Sequence, residues 1–176
     1  VGLRCASVNG RELLAGWIRH VVWRALSPAT LSPTLTLVVG QKKGAQDLKC
    51  LKPIEKAEDA HKWLAELLQI YWQGQQEPLL FFPNTSLAFM KASTKDADDP
   101  EAIQAKRIEA ARKKWEPDEF GQSFPESADA AHQLCFQNVD PLIDPRFTEL
   151  AKVVFGPVVK HDNLKRKAIT SLRDAT

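Results

Sequence analysis

Between Arg11 and Leu26, the apolar residues Leu13, Leu14, Trp17, Ile18, Val21, Val22 and Ala25 recur at helical spacing. They form one broad apolar face, which a folded chain must cover with a second layer. The flanks say what that layer is. Val1 to Val8 reads as a strand that ends on the turn-favouring pair Asn9-Gly10. Beyond Ser27-Pro28 and a loop containing Pro33, Thr34 to Val39 is rich in β-branched residues and reads as another strand. Strand, helix and strand in this order predict an α/β fold with a mixed sheet and flanking helices.

The chain then turns at Gly40 to Gly44, and Ala45 to Leu51 supplies the return strand of a hairpin. Pro53 precedes a helix from Glu55 to Gln73, with Ala60, Trp63, Leu64, Leu67, Leu68 and Tyr71 as its apolar face and Gly74 as its end. The run from Pro78 to Pro83 cannot be a helix interior and reads as a buried extended linker. Asn84, Thr85 or Ser86 caps a short helix to Lys91, and Asp99-Pro100 opens another to Lys114, closed by Trp115-Glu116-Pro117. Further helices are expected from Ser127 to Gln137 and from Asp144-Pro145 to Phe155. Residues from Asn163 onward, including Lys165-Arg166-Lys167, read as a mobile tail. The chain enters directly on a strand without an initiator methionine, so it reads as a piece of something longer with sheet upstream.

Composition narrows the function classes. With 176 residues, 44% of them hydrophobic, the chain has enough apolar material for a real core, and a net charge of +2 gives no general attraction to nucleic acid. Cys5, Cys50 and Cys135 are scattered and odd in number, which argues against a disulfide framework or a zinc site and for a reducing, cytoplasmic setting. No apolar run approaches the roughly 20 residues that span a bilayer, so no membrane partner is expected. His20, His61, His132 and His161 lack a second ligand at helical or hairpin spacing, which favours structural or surface roles over a metal site. Asp96, Asp98 and Asp99 lack the glycine and terminal glutamate of a calcium loop and read as a solvated loop with a helix cap. No cofactor is expected.

Two features remain as candidate binding surfaces. Lys106 and Lys113 lie one heptad apart and share a helix face with Arg107 and Lys114, a set able to contact DNA phosphates, although a solvated helix face is the plainer reading. Trp63 sits on its apolar stripe and reads as core. Trp23 and Trp72 fall off theirs, which makes them candidates for a partner interface.

Two stretches carry a likeness to a known family. The first, Asn9 to Gly40, contains Arg-Glu-Leu-Leu-Ala-Gly-Trp-Ile-Arg-His-Val-Val-Trp followed by Thr-Leu-Thr-Leu-Val-Val-Gly. The second, Ala60 to Ala92, has a helix ending Tyr-x-x-Gly, then Glu-Pro-Leu and an apolar run into Pro83. In this order they resemble the C-terminal region of RecC, the gamma subunit of exodeoxyribonuclease V. The likeness spans about residues 1–160, with 161–176 as a basic tail.

The resemblance implies a restriction-endonuclease-like fold, truncated at its N-terminal side. It also implies RecB-like and RecD-like partner subunits, and double-stranded DNA ends met through the complex in recombinational repair. Active relatives of that fold carry an acid and a lysine two positions apart on one strand, and glutamine and tyrosine on the next helix. The carboxylates hold Mg²⁺, which activates water. The corresponding positions here, Leu3, Arg4 and Cys5 on the strand and Leu13 and Trp17 on the helix, carry no acid, and the helix pair is apolar. The expectation is a non-catalytic assembly domain that binds the RecD-like subunit. A Mg²⁺-dependent nuclease completed by upstream residues and a single-stranded DNA-binding module are the alternatives.

Overall fold

The structure is a computed structural model that describes residues 2–3, 7–28, 30–42, 45–94, 99–117, 124–137 and 139–162. It is an α/β fold that divides into two compact units, one of Val1–Ile70 with Pro157–Thr176 and one of Tyr71–Gly156. No helix among the described residues is long and apolar enough to cross a membrane.

The first unit is built on a three-stranded mixed sheet. β1 (Gly2–Leu3) pairs in parallel with β2 (Thr36–Lys42), and α1 (Gly10–Leu26) is the crossover between them. β2 returns through a hairpin into β3 (Ala45–Leu51), with Thr36 opposite Leu51 and Lys42 opposite Ala45. The expected strand to Val8 is described only at Gly2–Leu3, and Ser7 and Val8 lie outside any strand. Asn9-Gly10 is not a turn but a helix start. The Asn9 side chain accepts from the Arg11 and Glu12 amides while Glu12 reaches back to the Asn9 N–H, a reciprocal cap that satisfies otherwise orphaned donors. Gly40 is a buried β2 residue rather than part of the turn, because its rung with Asp47 continues the ladder.

The helix face read from sequence packs in part, with Leu14 and Val22 half-buried and Ile18 exposed. Leu13, Trp17, Val21 and Ala25 are buried, together with Ile54, Ala60 and Val158. Gly16 lies on the same face, and a Cβ there would collide with Cγ2 of Val38 on β2. The glycine therefore sets how closely helix and sheet approach. Arg24 fastens the end of α1 by donating from Nε to the Ile54 carbonyl at 2.9 Å and from Nη2 to the Glu55 carbonyl at 2.9 Å. α2 (Ala57–Gly74) follows. Its expected face is less covered than its pattern implies, since Ala60 is buried but Leu68 and Tyr71 are exposed.

The second unit is helical among its described residues. The Pro78–Pro83 run is extended, with Leu80 and Phe82 buried, and leads into α3 (Pro83–Lys91). α4 (Pro100–Trp115) begins on the expected Asp99 cap, whose carboxylate accepts from the Ala102 N–H at 2.8 Å. The helix expected over Ser127 to Gln137 is instead a 3₁₀ turn, Glu126–Ala128, and α5 (Ala130–Cys135). Asp129 divides them, because its side chain caps the Ala131 N–H and restarts the helix. α6 (Pro145–His161) runs six residues past the expected end at Phe155, through Pro157. Gly156 has no Cβ to clash with the following ring, and the carbonyl that Pro157 leaves unbonded belongs to Val153, on the exposed side.

The core of this unit gathers Leu80, Phe82, Phe89, Ala111, Trp115, Leu142, Phe147 and Ala151. Phe82 is its hub, with ring centroids 4.3 Å from Trp115, 5.5 Å from Phe136 and 6.2 Å from Phe147. Burying one such side chain stabilises by about 1.5–3 kcal/mol. The cap of α3 is a correction: no side chain of Asn84, Thr85 or Ser86 caps it in the usual way. The carboxylate of buried Glu126 accepts from the Asn84 N–H at 3.1 Å and the Thr85 N–H at 2.7 Å instead. The expected basic tail falls mostly on residues 163–176, which lie outside the described residues, and its first residue, His161, belongs to α6.

Candidate functional site

The positions singled out from the resemblance fall on the β1–α1–β2 crossover. Arg4 and Cys5 lie outside the described residues, and of Leu3 only its backbone place in β1 is described. Leu13 and Trp17 are each 1% exposed. Both side chains are packed on the buried face of α1.

Around Trp17 the first unit assembles an aromatic cluster with two imidazoles. The Trp17 ring lies 5.3 Å from Trp63, 5.1 Å from His161 and 5.7 Å from His20. Trp63 meets His161 edge-on at 5.4 Å. His20 Nε2 lies 3.0 Å from the Lys52 carbonyl, which can only accept, so Nε2 carries the proton. Nδ1 then accepts from the Thr36 hydroxyl at 2.8 Å. Burial pushes the His20 pKa below its ordinary value, the hydrogen bond to Lys52 opposes this, and nearby His161 adds to the lowering. Both ring nitrogens are spoken for, and this histidine ties α1 to β2 and to the residue after β3.

One pattern escaped the sequence reading. Asp47-Leu48-Lys49 on β3 places an acid and a lysine two positions apart, on the same face of a strand. Their side chains approach to 3.8 Å. The Asp47 carboxylate also accepts from the Val8 N–H at 3.0 Å, which ties the entry of α1 to the sheet. The signal was the spacing itself, on a strand that the hairpin pattern had already located. Among the described residues, no three His, Cys, Asp or Glu side chains cluster as metal ligands would.

The basic residues on α4 differ in their surroundings. Arg107 is half-buried, with its guanidinium 5.8 Å from the Phe89 ring centroid. Arg112 is tied to Asp140 at 2.7 Å and Glu116 at 2.6 Å, and Lys113 pairs with Glu109 at 2.7 Å. Lys106 is half-buried, and Lys114 is exposed with no ion pair among the described residues. The two off-stripe tryptophans stand out in solvent. Trp23 is 59% exposed with Leu26 beside it, and Trp72 is 67% exposed, one helical turn beyond exposed Leu68. Cys50 is buried and Cys135 exposed, both as free thiols, and Cys5 lies outside the described residues.

A family model described as RecC C-terminal domain matches residues 1–94 of the 176, ending just after α3. The expected likeness over residues 95–160 lies beyond that match. No curated protein matches the chain.

Proposed function

Because the chain belongs to the RecC C-terminal domain family, we propose that it is a non-catalytic assembly domain of the RecC-like subunit in a RecBCD-type helicase–nuclease. In this reading β1, α1 and β2 are the remnant of a restriction-endonuclease-like sheet. The carrying observation is the burial of Leu13 and Trp17 in the core of α1. Their apolar side chains occupy the helix positions where an active relative would orient substrate and water. The RecD-like subunit is the proposed direct partner and the RecB-like subunit shares the complex, with Trp23 and Trp72 as candidate contacts. Interfaces are enriched in such aromatic anchors. Double-stranded DNA ends are then met by the complex as a whole, in the cytoplasm.

The test is a pull-down of the RecD-like subunit by the RecC-like subunit. Capture should persist at high salt and weaken when Trp23→Ala and Trp72→Ala are combined. Linear DNA with Mg²⁺ should stay intact. Robust Mg²⁺-dependent cleavage sinks the reading.

A second reading rests on Asp47 and Lys49, whose spacing suits a retained Mg²⁺-dependent nuclease completed by other acids. It requires Asp47→Asn to abolish a cleavage that the native chain performs. The engagement of Asp47 by the Val8 N–H favours the structural alternative, in which that substitution changes stability alone.

A further inference from the structure

In the sheet of the first unit, β3 is an outer strand, because the order is β1, β2, β3. A sheet edge carries a row of backbone donors and acceptors with which a further strand can pair. One end of this edge is already engaged. Leu51 forms an antiparallel bridge with Asp162, just past α6, and the Lys52 N–H donates to the His161 carbonyl at 2.9 Å. Backbone groups alternate in direction along a paired strand. The N–H and C=O of Cys50 and Leu48 therefore point to the same side as the Lys52 N–H, away from β2. Among the described residues, no backbone group outside the sheet meets them. Cys50 is only 3% exposed, and a buried backbone donor calls for a partner.

The bridge also sets a register. Continued antiparallel beyond Asp162, it brings Asn163 opposite Cys50, Leu164 opposite Lys49, Lys165 opposite Leu48, Arg166 opposite Asp47 and Lys167 opposite Gln46. The residue types suit those places. Val38, which pairs with Lys49, is the β2 residue that Gly16 of α1 approaches, so Asp47, Lys49 and Leu51 lie on the α1 face of the sheet. Leu164, Arg166 and Ala168 fall on that same face, with a guanidinium directly across from the Asp47 carboxylate. Asn163, Lys165 and Lys167 fall on the other face, where Val39 and Leu48 are only half-buried. Apolar and polar positions thus alternate from Asn163 to Lys165 as a half-buried strand requires.

We propose that residues 163–168 dock along β3 as a fourth, antiparallel strand of this sheet rather than trailing free of it. The occupant is continuous with the residue that makes the bridge, so pairing closes no loop and costs little entropy. Its own outer edge carries Lys165 and Lys167, and lysines on an edge strand discourage pairing with other molecules. The pairing uses none of the residues on which the assembly reading rests.

Hydrogen exchange of the full chain, compared with the same chain ended at Asp162, tests this. The Leu48 and Cys50 amides should exchange about fivefold faster without residues 163–176, the factor that one backbone hydrogen bond supplies. Two proline variants of the full chain separate strand pairing from a general loss of stability. In this register the Lys165 N–H points at β3 and the Arg166 N–H points away from it. Lys165→Pro should therefore free the Leu48 amide, whereas Arg166→Pro should leave it protected. Exchange unaltered by the truncation, or equal effects of the two prolines, would overturn the proposal. So would protection that appears only as protein concentration is raised, which marks a strand supplied by a second copy.

Discussion

At the scale of single residues, Gly16 and His20 carry the sharpest consequences. A methyl at Gly16 enters the space of Val38 Cγ2, and valine's stiff χ1 leaves it little room to yield. Alanine would normally favour a helix by about 1 kcal/mol over glycine. Overpacking costs about 1–3 kcal/mol, so Gly16→Ala should lower stability in urea unfolding, and Val38→Ala in the same chain should restore most of it. His20 gives a pH dependence with a definite sign. Burial first, and His161 after it, hold its folded pKa below the ordinary 6.5. The unfolded chain therefore takes up the proton first as pH falls. Stability is full above about pH 6.5. It declines below that and levels off once the folded-state pKa is passed. Denaturant midpoints measured from pH 8 to pH 5 should follow this course, and His20→Gln should flatten it. Neither residue's role was legible in the sequence. A glycine inside an apolar helix and a histidine on the same face acquire meaning only when β2 is laid against them.

At the scale of elements, the sequence spoke clearly wherever a local pattern closes on itself. Most of the periodic face of α1, the return strand β3 and the Asp99-Pro100 start of α4 stand where the residues place them, while β2 is shifted to Thr36–Lys42. It spoke poorly where the deciding group is distant. α3 has three cap-forming residues in its first turn, yet its amides are held by Glu126, 41 residues beyond Thr85. No local rule could have found that bond. Glu126→Ala should cost about 1–3 kcal/mol, because it strips the acceptor from two amide donors at a buried helix end. Hydrogen exchange at Asn84 and Thr85 should quicken ahead of the rest of α3. The α2 pattern misled in the opposite direction: Leu68 and Tyr71 keep helical register with Trp63 and Leu64 but remain exposed. For that reason Trp72→Ala should shift folding stability by no more than about 0.5 kcal/mol, in contrast to its expected effect on partner capture.

At the scale of the whole molecule, what the sequence offered at the β1–α1–β2 crossover was apolar side chains. The apolar Leu13 and Trp17 were readable, and so was the spacing of Asp47 and Lys49, whereas the tie of Asp47 to the Val8 N–H needed the sheet. The path of the chain carries a further consequence. β3 does not end in solvent: Leu51 bridges to Asp162, and the Lys52 N–H donates to the His161 carbonyl at 2.9 Å. His161 and Val158 complete a core whose other members all precede residue 70. During synthesis, then, the earlier-made unit stays unfinished until nearly the last described residue leaves the ribosome, while the intervening helical unit has its whole sequence available sooner. A chain ended at residue 94, where the family match stops, should emerge as an open intermediate that exchanges its amides rapidly and clings to chaperones. Restoring residues 157–162 is what should let it close.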